Sequence, residues 1–479
     1  MSMPPSDLDG ASFSALLQKA QAARNASNWP LAITLYAHCI KASPQLPELH
    51  HNLALCLFGA GRSKEATLAA VNALKLKPQL WQSKIVLARA AKTLGQVDRA
   101  DLLFAEVLAV DAGNAAALAG RADLAMNEFG DPLEAMRLVR PLWQDPVHRN
   151  DAELTTLMAS LYDRDIDAAA LTRQVMDFSR RALRLPGLQF APRPARAANA
   201  RPRVALLSPL FCVSPVYFLT IAGFRHVAKG CEVVVFNRGV KRDWATEAFA
   251  ELASEWKDVQ HLSATQLAQA IYDADIDVLY DLGGWMDPVG LQALSAKPAR
   301  QQFKWVGGQS ITTGLSSFDG WIGDAGQSPR HLQHLYSEPL WNVEGGYALY
   351  TPPAYMPKPA AIKSEVPAIF ANPAKLSRAF LRMLAQMPGK KCFIHRQYRH
   401  ARVRQRIESV LDASQVEYIH PASHQEALEA LNQHKLMIDT FPYSGGLTAR
   451  EARALGLKVQ TRVGELFCER HGAELTIDQ

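Results

Sequence analysis

The segment IDTFPYSGGLTAREARALG (438–456) holds the densest set of residues able to do chemistry in this chain of 479 residues. An apolar run ends at Asp439, a glycine-containing loop follows, and the pattern predicts a helix from near Leu447. Outside the carboxyl end of a parallel strand, such a loop presents free helix amides to an anion. Gly445 and Gly446 would let a diphosphate approach the backbone closely. Thr448 and Glu451 also have the spacing of a T-x-x-E capping box, which any surface helix can use, so the residues alone leave both readings open. Metal and thiol chemistry find less support. The six cysteines (Cys39, Cys56, Cys212, Cys231, Cys392, Cys468) are scattered with no CxxC pair, which predicts buried free thiols rather than a disulfide framework or zinc site. His226, His331 and His334 show no metal-ligand spacing, and no GxGxxG or GKS/T loop occurs. The basic run HRQYRHARVRQR (395–406) reads as a solvated helix face.

Composition narrows the class. Lys plus Arg total 52 against 46 Asp plus Glu, giving +6, too small an excess to predict a nucleic-acid partner. With 48% hydrophobic and 20% charged residues, the chain reads as globular, with a length that suits several domains. No apolar stretch is long enough for a membrane span, and MSMPPSDLDG lacks the pattern of a signal peptide, so a cytoplasmic location is expected.

The elements that position this chemistry begin with a repeat. Ala20, Ala54 and Ala88 are spaced by 34 residues, as are Gly61 and Gly95, Ala32, Ala66 and Ala100, Tyr36, Ala70 and Phe104, and Pro44, Pro78 and Ala112. Small residues where paired helices approach, an aromatic or small residue in the next layer, and a breaker after the second helix make the tetratricopeptide pattern. Three units occupy about 13–112, with a degenerate pair from Asn114 to about Trp143. Such stacks usually grip a peptide or protein. Asn52 has Gln18 and Val86 at the equivalent places, so no asparagine ladder for backbone clamping is predicted.

A helical connector and the linker LPGLQFAPRPARAANARPR follow, filling 144–200. Thereafter short β-rich runs alternate with helical stretches: 204–208, 232–237, 277–282, 302–307 and 321–324, then 366–371, 390–395, 416–420, 436–441 and 457–461. Alternation of this kind predicts two doubly wound parallel sheets. The Pro-rich GYALYTPPAYMPKP between them reads as an interdomain linker. The predicted architecture is a repeat superhelix (13–143) followed by two Rossmann-like domains (201–355 and a short 356–479) in a GT-B arrangement.

IDTFPYSGGLTAREARALG followed by GELFCERHG resembles the tetratricopeptide-bearing O-linked N-acetylglucosamine transferases and their bacterial and plant relatives. ASLYD (159–163), RVALLSPLF, IDVLYDLGGW, KPARQQFKWVGG, TTGLSSFDGWIGD and YSEPLW occur in the family's order, across about 155–472. The resemblance implies a UDP-sugar donor, held without metal or other cofactor, and an acceptor protein held by the repeat groove. Lys375 in FANPAKLS matches the lysine that neutralises the donor diphosphate, and Glu451 the acid that accepts from the ribose hydroxyls. Gly446, Leu447 and Thr448 match the loop that meets the phosphates, and Asn372, Gly445 and Ala422 belong to the same implied donor site.

The chain also departs from the family. In SPLFCVSP, Leu210 and Ser214 stand where the family has an aspartate and a histidine that acts as base or positions substrate, so Ser214 takes the catalytic position without an imidazole. Ala427 and Ala430 replace the usual histidine and arginine beside the uracil, with His424 nearby. The family normally continues into further helices beyond GELFCERHG. The implied function is inverting transfer of N-acetylglucosamine or a related hexose to a protein hydroxyl. A degenerate scaffold that binds a partner without turnover is the alternative.

Overall fold

The computed structural model describes residues 10–194, 196 and 200–473. It divides into two compact units. One comprises the chain up to Glu128 together with Glu134–Ala152, and the other Phe129–Leu133 with Glu153 onward.

The first unit is helical: α1 (Gly10–Asn25), α2 (Trp29–Ala42), α3 (Pro47–Gly59), α4 (Ser63–Leu76), α5 (Trp81–Thr93), α6 (Val97–Val110) and α7 (Ala115–Asn127) pack consecutively on one another. The residues that repeat at the 34-residue period are the ones that touch. Ala20, Ala54 and Ala88, then Ala32, Ala66 and Ala100, are all fully buried, with Tyr36, Ala70 and Phe104 beside them. The turns repeat too. Gly61 and Gly95 both adopt φ +75 with nothing near the place of a Cβ, so the left-handed backbone alone demands glycine there. The equivalent position in the first pair is Ser27, at φ 54, a cost this turn carries and the other two avoid.

Of the two helices assigned from sequence to the connector, Ala168–Ala182 and the part of Arg149–Ala159 from Glu153 onward belong structurally to the sheet-bearing unit. Leu157, Leu161, Leu171, Val175 and Phe178, from Arg149–Ala159 and Ala168–Ala182 and the turn between them, share one core with Ala205, Leu207, Val234 and Leu279. The apolar stripe of these helices therefore covers one face of a sheet, as parallel sheets require. The described part of the linker is also tied down: Arg193 pairs with Asp275 at 2.9 Å, and Arg196 pairs with Asp275 and Asp277.

Two all-parallel sheets follow. The first comprises β1 (Arg203–Ser208), β2 (Glu232–Asn237), β3 (Glu255–Asp258), β4 (Val278–Asp281), β5 (Gln301–Lys304), β6 (Gly320–Gly323) and β7 (Leu340–Asn342), in the order β3-β2-β1-β4-β5-β6-β7. The second comprises β8 (Ala368–Ile369), β9 (Lys391–Ile394), β10 (Val416–Ile419), β11 (Leu436–Ile438) and β12 (Lys458–Gln460), in the order β10-β9-β8-β11-β12. Ala205 in β1 sits opposite both Val234 and Leu279, a central strand buried on both faces. β3 and β7 are additional to the strands expected from sequence. Both lie at the sheet's edges, where EWKD and LWN need no continuous apolar run; Trp341 is 56% exposed.

The stretch read as an interdomain linker is bonded down. Trp305 Nε1 donates to the Tyr347 carbonyl (2.7 Å), and Thr351 N to that of Phe218 (2.7 Å). After β12 the chain returns to the first sheet. Leu466, Phe467 and Cys468 lie in that sheet's core, with the Phe467 ring edge-on to Trp321 at 5.2 Å. All six cysteines are free thiols, and all but Cys231 are buried. Among the described residues no helix is long and apolar enough to cross a membrane.

Candidate functional site

Both sheets reverse their winding beside their first strand, and a ligand crevice opens at that point at the carboxyl ends. In the second sheet the point lies between β8 and β11. Asn372 follows β8 and accepts from Ala374 N at 2.9 Å, shaping the one-turn 3-10 helix Pro373–Lys375. That turn brings the half-buried Lys375 over the loop after β11. Its Nζ donates to the Ser444 carbonyl at 2.8 Å and lies 4.4 Å from the Tyr443 ring centre. Burial draws the ammonium below the ordinary lysine range, against the opposing charge of Asp439.

Asp439 shapes the loop. Buried at the end of β11, it accepts from Thr440 N (2.9 Å) and Gly445 N (2.8 Å) through Oδ1, and from Thr461 Oγ1 (3.1 Å) through Oδ2. Burial raises its carboxyl above the usual range, with Lys375 opposing. A Cβ on Gly445 would lie 2.2 Å from Thr448 Oγ1 and 2.9 Å from Asp439 Oδ1, so close packing accounts for this glycine. Tyr443 is stacked on Tyr162 at 4.7 Å and its hydroxyl meets Ser310 Oγ at 2.9 Å. Ser444 N and Oγ both donate to the Cys468 carbonyl at 2.9 Å.

The helix Leu447–Ala454 begins directly after Gly446 and has no side-chain cap. The capping-box reading of Thr448 and Glu451 therefore does not hold. Glu451 points inward and is 1% exposed. Its Oε1 meets His424 Nε2 at 2.8 Å, and His424 Nδ1 meets the Tyr355 hydroxyl at 2.8 Å. An ionised Glu451 would fix the direction of this chain, with Nε2–H donating to the carboxylate and the phenol donating to Nδ1. Burial raises the Glu451 carboxyl above the ordinary range, with His424 opposing, and pushes the Tyr355 phenol up to about 12. Phe218 lies 5.3 Å from the His424 ring, and Trp244 lies 6.4 Å from that of Tyr355.

Several residues assigned from sequence land elsewhere. Ala427 and Ala430 pack onto the core of the second sheet, so the polar group this helix turns to the site is His424 at its first residue. Ala422 sits in the exposed turn before it, its N donating to Glu426 Oε2 at 2.9 Å. Ser214 opens the helix Pro215–Val227 after β1, and its hydroxyl donates to the Leu210 carbonyl at 2.9 Å. That helix packs against Leu447–Ala454, yet no described hydrogen bond joins Ser214 to Lys375 or Glu451. The basic run is not simply a solvated face: Arg406 turns inward to backbone carbonyls, and Arg404 Nη1 donates to that of Tyr398 at 2.8 Å.

His471, which lies in GELFCERHG but is given no role from sequence, borders the loop. Its ring stands 3.6 Å from the place of a Gly446 Cβ, and its Nδ1 is buried without a hydrogen-bond partner among the described residues. Burial, with Lys375 and Arg450 beside it, holds the imidazole well below its ordinary pKa, hence neutral. The only sequence signal was its place in RHG after the phosphate-type loop.

In the first sheet a lysine–aspartate pair lies one strand away from the matching point, at the carboxyl ends of β4 and β5. Lys304 is fully buried, 3.3 Å from Asp281 Oδ2, and donates to the carbonyls of Asp281 (2.8 Å) and Gly307 (2.5 Å). Arg238 Nε donates to Asp287 Oδ2 at 2.8 Å, both side chains 8% exposed. Among the described residues, no group of three or more His, Cys, Asp or Glu side chains is placed to hold a metal ion.

No family model matches the chain. It is 26% identical over 353 residues to a tomato (Solanum lycopersicum) protein named as a probable UDP-N-acetylglucosamine–peptide N-acetylglucosaminyltransferase SPINDLY, a match covering 69% of this chain and 38% of that protein. The Oryza sativa protein of the same name is 23% identical over 352 residues, with the same two coverages. The chain thus spans well under half the length of these curated relatives. Among solved structures, a lysine-to-methionine mutant of the Thermobaculum terrenum O-GlcNAc transferase superposes with a TM-score of 0.61 at 21% identity, covering 99% of this chain and 86% of that one. The fold is therefore that of tetratricopeptide repeats followed by a GT-B pair of Rossmann-like domains.

Proposed function

We propose that this chain, which belongs with the SPINDLY-type and bacterial O-GlcNAc transferase-like proteins, is an inverting glycosyltransferase that moves N-acetylglucosamine or a related hexose from a UDP-sugar to a protein hydroxyl. One observation carries this reading: a lysine held by a single carbonyl faces the uncapped start of a helix, across a glycine loop, at the switch point of a parallel sheet. In such a transfer the diphosphate gains charge as the sugar leaves, and fixed positive charge aimed there lowers the barrier. Lys375 and the Leu447 and Thr448 amides would hold the diphosphate without a metal. Glu451 would accept from the ribose through the oxygen that His424 leaves open, and neutral His471 would offer its unpartnered Nδ1 beside the phosphates.

Ser214 marks the acceptor side, at the carboxyl end of the first sheet. A hydroxyl cannot act as a base near neutral pH, so we assign it a place beside the acceptor and leave most of the catalysis to the leaving group. The repeats would present the acceptor protein. The scaffold alternative is not favoured, because the similar proteins are named as glycosyltransferases and Lys375, the glycine loop and Glu451 gather at one end of the second sheet.

Calorimetric titration of the full chain with UDP, UDP-N-acetylglucosamine and GDP, followed by assay of donor hydrolysis, tests the proposal. Saturable binding of UDP and its sugar is expected. Failure of UDP and UDP-N-acetylglucosamine to bind overturns it.

A further inference from the structure

The turn that carries Lys375 is held from behind by two residues far away in the chain. Gly130 lies in the stretch Phe129–Leu133, which connects two helices of the repeat region but belongs to the sheet-bearing unit. At φ +58 its backbone presses on the lysine's turn: a Cβ there would stand 2.5 Å from Ala374 N, 2.6 Å from Pro373 Cβ and 2.7 Å from Pro373 C. No side chain fits in that gap, and only glycine adopts that conformation without strain.

Arg406 completes the brace. Its Nη2 donates to the carbonyls of Gly130 (2.8 Å) and Pro373 (2.7 Å), and its Nη1 to that of Leu376 (3.1 Å). One planar fork therefore spans both ends of the Pro373–Lys375 turn and the glycine behind it. A lysine, with a single point of charge, could not span those three acceptors. The neighbouring contacts keep the stretch seated. Phe129 stands edge-on to His400 at 5.7 Å, and the Arg402 guanidinium lies 4.8 Å from the Phe129 ring.

We propose that Gly130 and Arg406 are positioning residues for donor binding, acting through Lys375. They set the height of the Pro373–Lys375 turn above the 440–446 loop, and so the distance at which the ammonium meets a diphosphate. Among the described residues the ammonium makes one hydrogen bond, to the Ser444 carbonyl, and lies over the Tyr443 ring, so its position follows that of the turn. Displacement by about 1 Å can cost two decades in a positioned interaction. The inference rests on the donor-site reading above and adds that part of the repeat region's own chain tunes that site.

The test is a double-mutant cycle read by UDP titration, with thermal melting as the control for folding. In the otherwise unchanged full chain, Gly130→Ala and Arg406→Lys should each weaken UDP binding by about 10-fold or more while melting as cooperatively as wild type. In a Lys375→Ala background the same changes should cost less than about 2-fold, since the group they position is gone. A general structural defect would weaken binding equally in both backgrounds, and that result overturns the inference. So does wild-type UDP affinity in folded Gly130→Ala and Arg406→Lys. If Gly130→Ala does not fold, Arg406→Lys decides alone. Absence of UDP binding in wild type, or unchanged binding in Lys375→Ala, instead overturns the donor-site reading and takes this inference with it.

Discussion

The two sheets share one winding and use it in opposite ways. Each reverses direction beside its first strand, and each places a lysine and an aspartate at the carboxyl ends of its strands: Lys304 with Asp281 across β5 and β4, Lys375 with Asp439 across the β8–β11 crevice. In the first sheet the lysine belongs to a central strand and spends its hydrogen bonds on Asp281 and the Gly307 carbonyl. In the second the lysine sits on a short turn beyond the strand, while loop amides hold both aspartates, those of Gly283 and Gly284 on Asp281 and those of Thr440 and Gly445 on Asp439. The same pair of residue types is sealed inside the first sheet, whereas in the second it borders the loop proposed to receive an anion. What decides is whether the cation is placed on the sheet or one turn past it.

The largest expected effect sharpens that contrast. Lys304→Met leaves Asp281 buried without its cation, with only the Gly283 and Gly284 amides on its carboxylate, and should cost about 3–5 kcal/mol of stability, measured by urea denaturation, with UDP affinity intact wherever the protein stays folded. Lys375→Ala should do the reverse. Loss of the charge-assisted contact should weaken UDP binding about 10- to 100-fold by calorimetry, while stability falls by about 1.5–3 kcal/mol at most for the lost ammonium–Ser444 hydrogen bond, since Asp439 keeps Thr440, Gly445 and Thr461 as donors. If both lysines behave alike, the division of labour between the two pairs is wrong. Ser214→His tests the first sheet's end as the acceptor side. Proton-transfer groups contribute ~100-fold or more when well placed, so even partial reach should raise transfer about 10-fold, and a flat response would separate Ser214 from the acceptor.

The smallest effect concerns Glu451. A carboxyl whose native pKa is raised stabilises the fold fully below its unfolded pKa, and that contribution is lost as pH rises through the native value. Wild type therefore loses stability above the ordinary glutamate range near ~4.3, and Glu451→Gln should melt higher than wild type at pH 7.5 and level with it near pH 4. The same change should weaken UDP binding severalfold. A variant less stable at every pH would mean that the paired charge, rather than its burial, dominates at this position.

Much of this was legible in the sequence, for reasons of spacing. The repeats could be read because the same steric demand recurs every 34 residues, and Ala20, Ala54 and Ala88 are fully buried. Ser27 could have been found by extending the Gly61–Gly95 interval one step back. Central strands announce themselves as continuous apolar runs, whereas β3 and β7 are wetted edges with no such run. In the site, Lys375 and the loop before Leu447 were legible because strand, turn and helix adjoin in sequence. The partners of Lys375 and Glu451 were not. His424 meets Glu451 across 27 positions, and Arg406 reaches Gly130 across 276, distances over which no local pattern operates. The T-x-x-E reading of Thr448 and Glu451 failed because Gly446 lets the helix start earlier, which turns Glu451 inward.

The return of Leu466–Cys468 into the first sheet's core means that the chain crosses between the two sheets twice, once outward through the Pro-rich stretch and once back after β12. A single tether would let one body tumble about the other. Two crossings stake the second sheet at two points, like a tent held by a pair of pegs. Ser444 is bonded to Cys468 in the short 3-10 turn of the returning segment, and Tyr443 beside it to Ser310, so the loop proposed to grip a diphosphate is moored to the first sheet's side as well as to its own.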